Sequence, residues 1–313
     1  MSDKIVILGA GMAGLLAANM MRHRNPVVME IKGELPHNHG ALLRFRSNSV
    51  SAATGVPFKK VNVSKAIYHN GDVLSSPNIL VCNKYSQRVS GKVTNRSISN
   101  LNDETRYIAP DNFIECAARG VEIRYGINLT TDDFTDIALS SGNPIISTIP
   151  MPALMQKLDY PDRDNSKFDY SPVVSYRLTI DNVDAYQTVY IPDPVDSHFY
   201  RVSITGHVII FETTRDDLDM KEVISGMQDI LFKGFGIYGW VIAPEYIEKV
   251  HQKYGKLISG NRKYARRFIS WATTERNVYS LGRFSTWKQI LMDDCVRDIN
   301  VIDNLIETEN YRG

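Results

Sequence analysis

The chain has 313 residues, 43% hydrophobic and 23% charged, which is the composition of a folded globular protein long enough for a sizeable core and two domains. With 36 basic and 35 acidic side chains the net charge is +1, so no global field favours nucleic acid, an anionic membrane or an acidic substrate. No apolar run approaches the roughly 18 residues that span a bilayer. The opening Met-Ser-Asp-Lys lacks a secretory cleavage pattern. Cys82, Cys116 and Cys295 are scattered and form no Cys-x-x-Cys, which predicts buried thiols in a reducing, cytoplasmic compartment.

Lys4 to Leu8 is a short apolar run ending at glycine, the pattern of a strand buried on both faces. Gly9-Ala10-Gly11-Met12-Ala13-Gly14 follows, then a helical stretch over Leu15 to Arg22, then an apolar strand over Pro26 to Met29 that ends on Glu30. Strand, G-x-G-x-x-G, helix, strand and acid in this register predict a dinucleotide fold. Gly9 permits the tight turn, Gly11 lets a pyrophosphate approach the backbone, and Gly14 lets helix and strand pack closely. The helix N-terminus offers free N–H groups to the phosphate. Glu30 is placed to accept ribose hydroxyl bonds, and an acid there disfavours NADP. The motif fits NAD and FAD equally.

Between Pro36 and Arg46 lie His37, His39, Arg44 and Arg46. The two arginines are two apart and would share a face on a strand, suited to a cofactor phosphate or an anionic substrate. The two histidines have no third ligand nearby, so no metal is expected, and His39 is instead a candidate proton carrier. Arg46 is the second candidate for the chemistry, and Arg44 a candidate cofactor contact. From Ser51 to Tyr107 the turn signals Asn70-Gly71, Ser75-Ser76-Pro77 and Ser90-Gly91 predict hairpins rather than helices.

Asp111 to Arg119 reads as a helix, Gly120 to Leu129 contains a strand, and Asn143 to Pro150 contains another. From Val173 the sequence alternates over Val173–Ile180, Thr188–Ile191, Phe199–Ile204 and His207–Glu212, which predicts an antiparallel sheet. A helix follows from Met220 to Lys233. Arg262-Lys263-Tyr264-Ala265-Arg266-Arg267 would put four cations on one helix face. That face could meet nucleic acid or a substrate phosphate, with a solvated surface as the plainer reading.

The chain closes with a short strand at Asn277 to Leu281, the pair Gly282-Arg283, an aromatic-containing loop, and a helix running to about Glu307. Asp293-Asp294 near the helix start reads as dipole compensation. This ending, with the opening motif, resembles the FAD-dependent flavoproteins of the UDP-galactopyranose mutase and amine-oxidase type. The resemblance implies FAD rather than NAD. It implies that Arg283 neutralises the pyrophosphate beside Gly282, that backbone N–H groups near Leu291 and Met292 face the flavin, and that the backbone of Leu129 meets adenine. It also makes Tyr176, Tyr200 and Arg201 the candidate substrate contacts, with Tyr200-Arg201 similar to a diphosphate-gripping element of the mutases. In those proteins a Gly-Gly pair and a basic residue follow the acid, and the mutases add a histidine-bearing loop. Here the stretch has one glycine, Gly40, and no histidine at the corresponding places.

The expected architecture is therefore α/β. A Rossmann-like FAD-binding domain is assembled from residues 1–50, 108–152 and 276–313, and a substrate domain on an antiparallel sheet from 51–107 and 153–275. The expected function is an FAD oxidoreductase acting on a small polar or nucleotide-linked substrate. A redox-neutral mutase and a non-catalytic nucleotide- or nucleic-acid-associated flavoprotein are the alternatives. No second unit of strand, G-x-G-x-x-G and helix in that order is present to build an NAD(P)H domain.

Overall fold

The computed structural model describes residues 4–35, 43–93, 97–163, 168–258 and 262–310. In chain order the strands are β1 (Val6–Leu8), β2 (Val27–Glu30), β3 (Arg44–Phe45), β4 (Lys59–His69), β5 (Asp72–Leu74), β6 (Glu104–Ile108), β7 (Glu122–Tyr125), β8 (Ile145–Ser147), β9 (Tyr170–Thr179), β10 (Ala185–Tyr190), β11 (Arg201–Gly206), β12 (Val208–Thr213), β13 (Glu248–Leu257) and β14 (Val278–Ser280). The helices are α1 (Met12–Met20), α2 (Ser49–Thr54), α3 (Ile79–Ser90), α4 (Phe113–Ala118), α5 (Thr131–Thr135), α6 (Met151–Lys157), α7 (Met220–Phe235), α8 (Arg262–Arg276), α9 (Gly282–Ser285) and α10 (Met292–Asn310).

The first sheet runs β14-β8-β1-β2-β7, and every pairing in it is parallel. Strands β1, β2, β8 and β14 are short and largely buried, as the continuous apolar runs predict, while β7 at the edge is mostly exposed. Helices α1, α4 and α10 pack on one side, where Leu15, Leu16, Phe113, Ile299 and Ile302 are buried. Helices α6 and α8 pack on the other, with Met151, Leu154, Phe268 and Ala272. Helix α8, expected with the substrate domain, thus contributes to the core of the parallel sheet. Strands β2 and β7 extend to one side of β1 and strands β8 and β14 to the other. The order reverses between β1 and β8, where an open α/β sheet binds ligands beyond its strand ends.

The second sheet runs β13-β9-β12-β11-β10-β4-β6-β3. It is antiparallel except for β10 against β4, a parallel pair that makes the sheet mixed. One face, with Val174, Leu178, Val189, Val202, Ile209 and Phe211, is covered by Val223, Met227, Ile230 and Leu231 of α7.

The expectation of hairpins over 51–107 holds at Asn70-Gly71, which joins β4 to β5, and fails further on. There α3 forms instead. Asn78 caps it by accepting the Val81 N–H at 3.0 Å, Gly91 ends it in the left-handed region, and Val81, Tyr85 and Val89 line one side at i, i+4 and i+8. Ser75 to Pro77 and Ser90-Gly91 are therefore the start and stop of a helix, not hairpin turns.

Candidate functional site

The crevice is built from the glycine loop outward. Strand β1 ends at Leu8 and the chain turns at Gly9, whose φ of +95° suits glycine. A Cβ at Gly9 would also lie 2.6 Å from Thr148 Oγ1, which donates to the Leu8 carbonyl at 2.6 Å. At Gly14 a Cβ would lie 2.0 Å from the Gly9 carbonyl oxygen, so any side chain there would force α1 away from its strand. Gly11 differs from both, because nothing lies within 4 Å of where its Cβ would be. The space over its backbone is open. Helix α1 begins at Met12 with no side-chain cap and no acid in its first turn, leaving its terminal N–H groups and its positive dipole end available to an anion. Ala10 and Gly14 are buried, while Met12 and Ala13 are partly exposed on the lip.

Glu30 ends β2 and is only 8% exposed. Its Oε2 accepts the Ala10 N–H at 2.7 Å and its Oε1 accepts the Lys32 N–H at 3.0 Å. A carboxylate has about four acceptor positions, so two bonds leave capacity for ribose hydroxyls. Leu129 lies past β7, partly buried against the α6–α8 side of the sheet. Its carbonyl accepts Lys157 Nζ at 2.7 Å.

The closing segment meets the opening one. Gly282, at φ +82°, follows β14, and a Cβ there would come within 3.1 Å of Ala13 Cβ. The two motifs, some 270 residues apart in the chain, touch at the glycine loop. Arg283 Nη2 donates to the Gly255 carbonyl at 2.7 Å, at the register shift in β13 between Gln252 and Lys256. Its guanidinium thereby ties the turn to the second sheet. Leu291 is exposed, and its N–H donates to Asp294 Oδ2 at 2.8 Å. Asp293 accepts the Ser47 N–H and hydroxyl at 2.8 and 2.7 Å, and the Arg46 N–H at 3.2 Å. Two carboxylates thus already offset the dipole of α10, which begins at Met292. The expected flavin-facing N–H of Leu291 is committed within the protein, and the α10 N-terminus is less suited to negative charge than that of α1.

The polar face of the second sheet carries the remaining candidates. Directly paired positions share a face, so Lys65, Thr188 and Ser203 form one row and Tyr190, Arg201, Glu212 and Ser175 the next. Arg201 Nε donates to Glu212, and the buried Tyr200 hydroxyl donates to the same carboxylate at 3.2 Å. Burial works against the Glu212 charge, but Arg201 and Lys256 outweigh it and hold the carboxyl below its usual range. Burial together with Glu212 pushes the Tyr200 hydroxyl well up. Lys65, almost wholly buried, pairs with Glu104 at 2.7 Å and is pulled below the usual lysine range by burial.

Arg44 and Arg46 do not share a strand face, because β3 ends at Phe45 and Arg46 is exposed in the bend beyond. Arg44 lies across the second sheet. It donates to Thr205 Oγ1 at 2.8 Å, Thr188 Oγ1 at 2.7 Å and the Gln187 carbonyl at 3.2 Å, and also to the Ile204 carbonyl. Burial, reinforced by the Arg201 charge, lowers it to about 10. With these donors occupied it is a strut of the sheet, which corrects its reading as a cofactor contact. Tyr176 also corrects a reading. It pairs with Phe211, is 1% exposed, and packs against Phe199 in the core under α7. Alternation puts it on the apolar face, opposite Ser175. His37 and His39 lie outside the described residues.

Lys65, Glu104 and Glu212 were not singled out from the sequence. The only signal was their alternate position on strands with polar neighbours, which surface strands share.

No protein-family model and no curated protein matches the chain. Among solved structures, a reduced UDP-galactopyranose mutase superposes with a TM-score of 0.66 at 14% identity, over 97% of this chain and 96% of that one. A structural-genomics target from Pyrococcus furiosus superposes with a TM-score of 0.55 at 11% identity, over 97% of each chain. At these identities the likeness is one of fold: a parallel Rossmann-type sheet joined to a second, curled sheet. No helix among the described residues is long and apolar enough to cross a membrane.

Proposed function

We propose that this chain binds FAD and is a flavoenzyme, most simply an oxidoreductase acting on a small polar or nucleotide-linked substrate. The observation that carries the reading is the approach of Gly282 to Ala13, which brings the closing Gly-Arg turn onto the glycine loop. An NAD site needs only the loop, the helix and the acid. A segment from the far end of the chain that caps the same loop fits a longer, permanently held cofactor.

In this reading Gly9, Ala10, Gly11, Met12, Ala13 and Gly14 hold the pyrophosphate over the open backbone at Gly11. Glu30 accepts the ribose hydroxyls, Leu129 borders the adenine, and Gly282 with Arg283 closes over the phosphates. When bound, the isoalloxazine supplies the electron chemistry. The chain supplies orientation and electrostatics. The α1 N-terminus stabilises the pyrophosphate, and the second sheet presents a polar wall in which the Arg201 charge is balanced by Glu212 and that of Lys65 by Glu104. Arg46, exposed and close to Arg106 at the edge of that wall, has no side-chain ion pair among the described residues and is the candidate to meet an anionic substrate. His39 stays a candidate proton carrier.

A redox-neutral reaction of the mutase kind is the second reading, favoured because the likeness to a mutase spans both sheets rather than the nucleotide fold alone. An absorption spectrum of the purified protein tests the common premise. Heat-released cofactor should have flavin absorbance and the mass of FAD, and tight NAD binding with no reconstitution by FAD would end the proposal. Photoreduction followed by re-exposure to air then separates the two readings. Bleaching by a candidate substrate marks an oxidoreductase, and turnover only after reduction, without net electron consumption, marks a mutase.

A further inference from the structure

The surface of α8 carries an arrangement that the flavin reading does not use. Arg262, Lys263, Arg266 and Arg267 are all exposed, while Tyr264, Ala265, Phe268 and Ala272 bury the other side. Arg267 reaches Asp162 at 3.2 Å. Among the described residues, Arg262, Lys263 and Arg266 make no ion pair and no side-chain hydrogen bond. The first acid in the helix is Glu275, near its far end. Like charges one turn apart repel, and cations in the first turns oppose the helix dipole. Both effects work against the free helix, and a bound polyanion reverses both.

The chemistry of the face narrows the partner. No large hydrophobic residue of α8 is strongly exposed, so the helix has nothing to insert below lipid headgroups. Three of the four cations are arginines, whose planar fork matches phosphate. Exposed Ser270 continues the line of Arg262 and Arg266 at four-residue spacing, adding a hydroxyl suited to phosphate oxygens. We propose that this face of α8 binds the phosphate backbone of nucleic acid without reading its sequence. The exposed cations of this face are groups that contact phosphate oxygens, and phosphate contacts carry no sequence information. None of these side chains belongs to the proposed flavin crevice, so either reading can fail without the other.

The test is fluorescence anisotropy of the full chain with a labelled DNA duplex of about 30 base pairs, at several salt concentrations and with two unrelated sequences. Micromolar binding is expected at low salt, equal for both sequences. Contact with three or four phosphates gives a slope of log affinity on log salt of about −3, so binding should weaken about 60-fold between 50 and 200 mM salt. Arg262→Gln with Arg266→Gln should reduce that slope by about 2. Arg297→Gln, an exposed arginine on α10, should change nothing. Far-UV circular dichroism checks that the variants fold, and Lys263→Gln with Arg267→Gln serves if the first pair does not. Absence of binding, a slope near zero, an unchanged double variant, or a strong preference for one sequence overturns the proposal. So does equal or tighter binding to polyglutamate or to phosphatidylserine vesicles.

Discussion

Substituting Glu30 separates the ribose contact from the local scaffold. The carboxylate accepts two backbone N–H groups, one from Ala10, which is fully buried, and one from Lys32, which is exposed. In Glu30→Gln the amide oxygen can turn toward Ala10 while the NH2 faces Lys32, whose N–H water can satisfy. The stability cost is then about 1 kcal/mol, that of one weakened hydrogen bond. Glu30→Ala leaves the Ala10 N–H buried without its acceptor, for about 1–3 kcal/mol. Cofactor affinity follows a different scale. A ribose hydroxyl donating to a charged carboxylate contributes about 1.5–3 kcal/mol, so Glu30→Ala should lose about ten- to hundredfold in FAD affinity. Glu30→Gln, keeping a neutral acceptor, should lose about tenfold. The assays are fluorescence titration of apoprotein with FAD and urea unfolding of the same apoprotein. Near-native stability with weakened FAD in Glu30→Gln supports the ribose role. Unchanged FAD affinity in both variants refutes it.

Gly14→Ala places a methyl group 2.0 Å from the Gly9 carbonyl oxygen, and it should destabilise the fold by about 1–3 kcal/mol or more and release FAD together; a wild-type thermal melt would contradict the packing. Arg201→Met leaves Glu212 buried without its main counter-charge and should cost about 3–5 kcal/mol near neutral pH while FAD remains bound. Because the native pairing depresses the Glu212 carboxyl, its stabilisation is present above the ordinary carboxylate range and lost as pH falls through the depressed value. The stability gap between wild type and Arg201→Met should therefore narrow on acidification, and a pH-independent gap would count against the pair. Burial, with Asp298 and Asp294 adding, pushes the Cys295 thiol up to about 12. It should resist alkylation in native protein at mildly alkaline pH and react once unfolded. Its contribution to stability holds below the ordinary thiol range and is lost as pH rises toward about 12; rapid native labelling mapped to Cys295 by mass spectrometry would show the site is open.

Local patterns in the sequence specified the parallel-sheet half of the fold. Glycine spacing, a buried strand and a terminal acid are short-range requirements of one turn, and they predicted β1, α1, β2 and Glu30 in the observed register. Alternation likewise predicted β9 to β12, because a strand with one covered face must alternate. The helix α3 was also legible in the spacing of Val81, Tyr85 and Val89 and in its Asn78 cap, but the turn residues around it were read as hairpin signals instead. Tertiary structure alone decided which side chains still have free valence. Arg44 could not be read as a strut, since Thr188 and Thr205, which hold it, are brought there by strand pairing about 150 residues away. Alternation could tell that Tyr176 and Arg201 occupy strands, but not which face α7 would cover. The meeting of Gly282 with Ala13 lies beyond any local pattern, because it depends on β14 pairing beside β8 at the edge of a sheet begun by β1. Short-range sterics and hydrogen bonding are written in neighbouring residues; contacts between distant segments exist only once the sheets that carry them have formed.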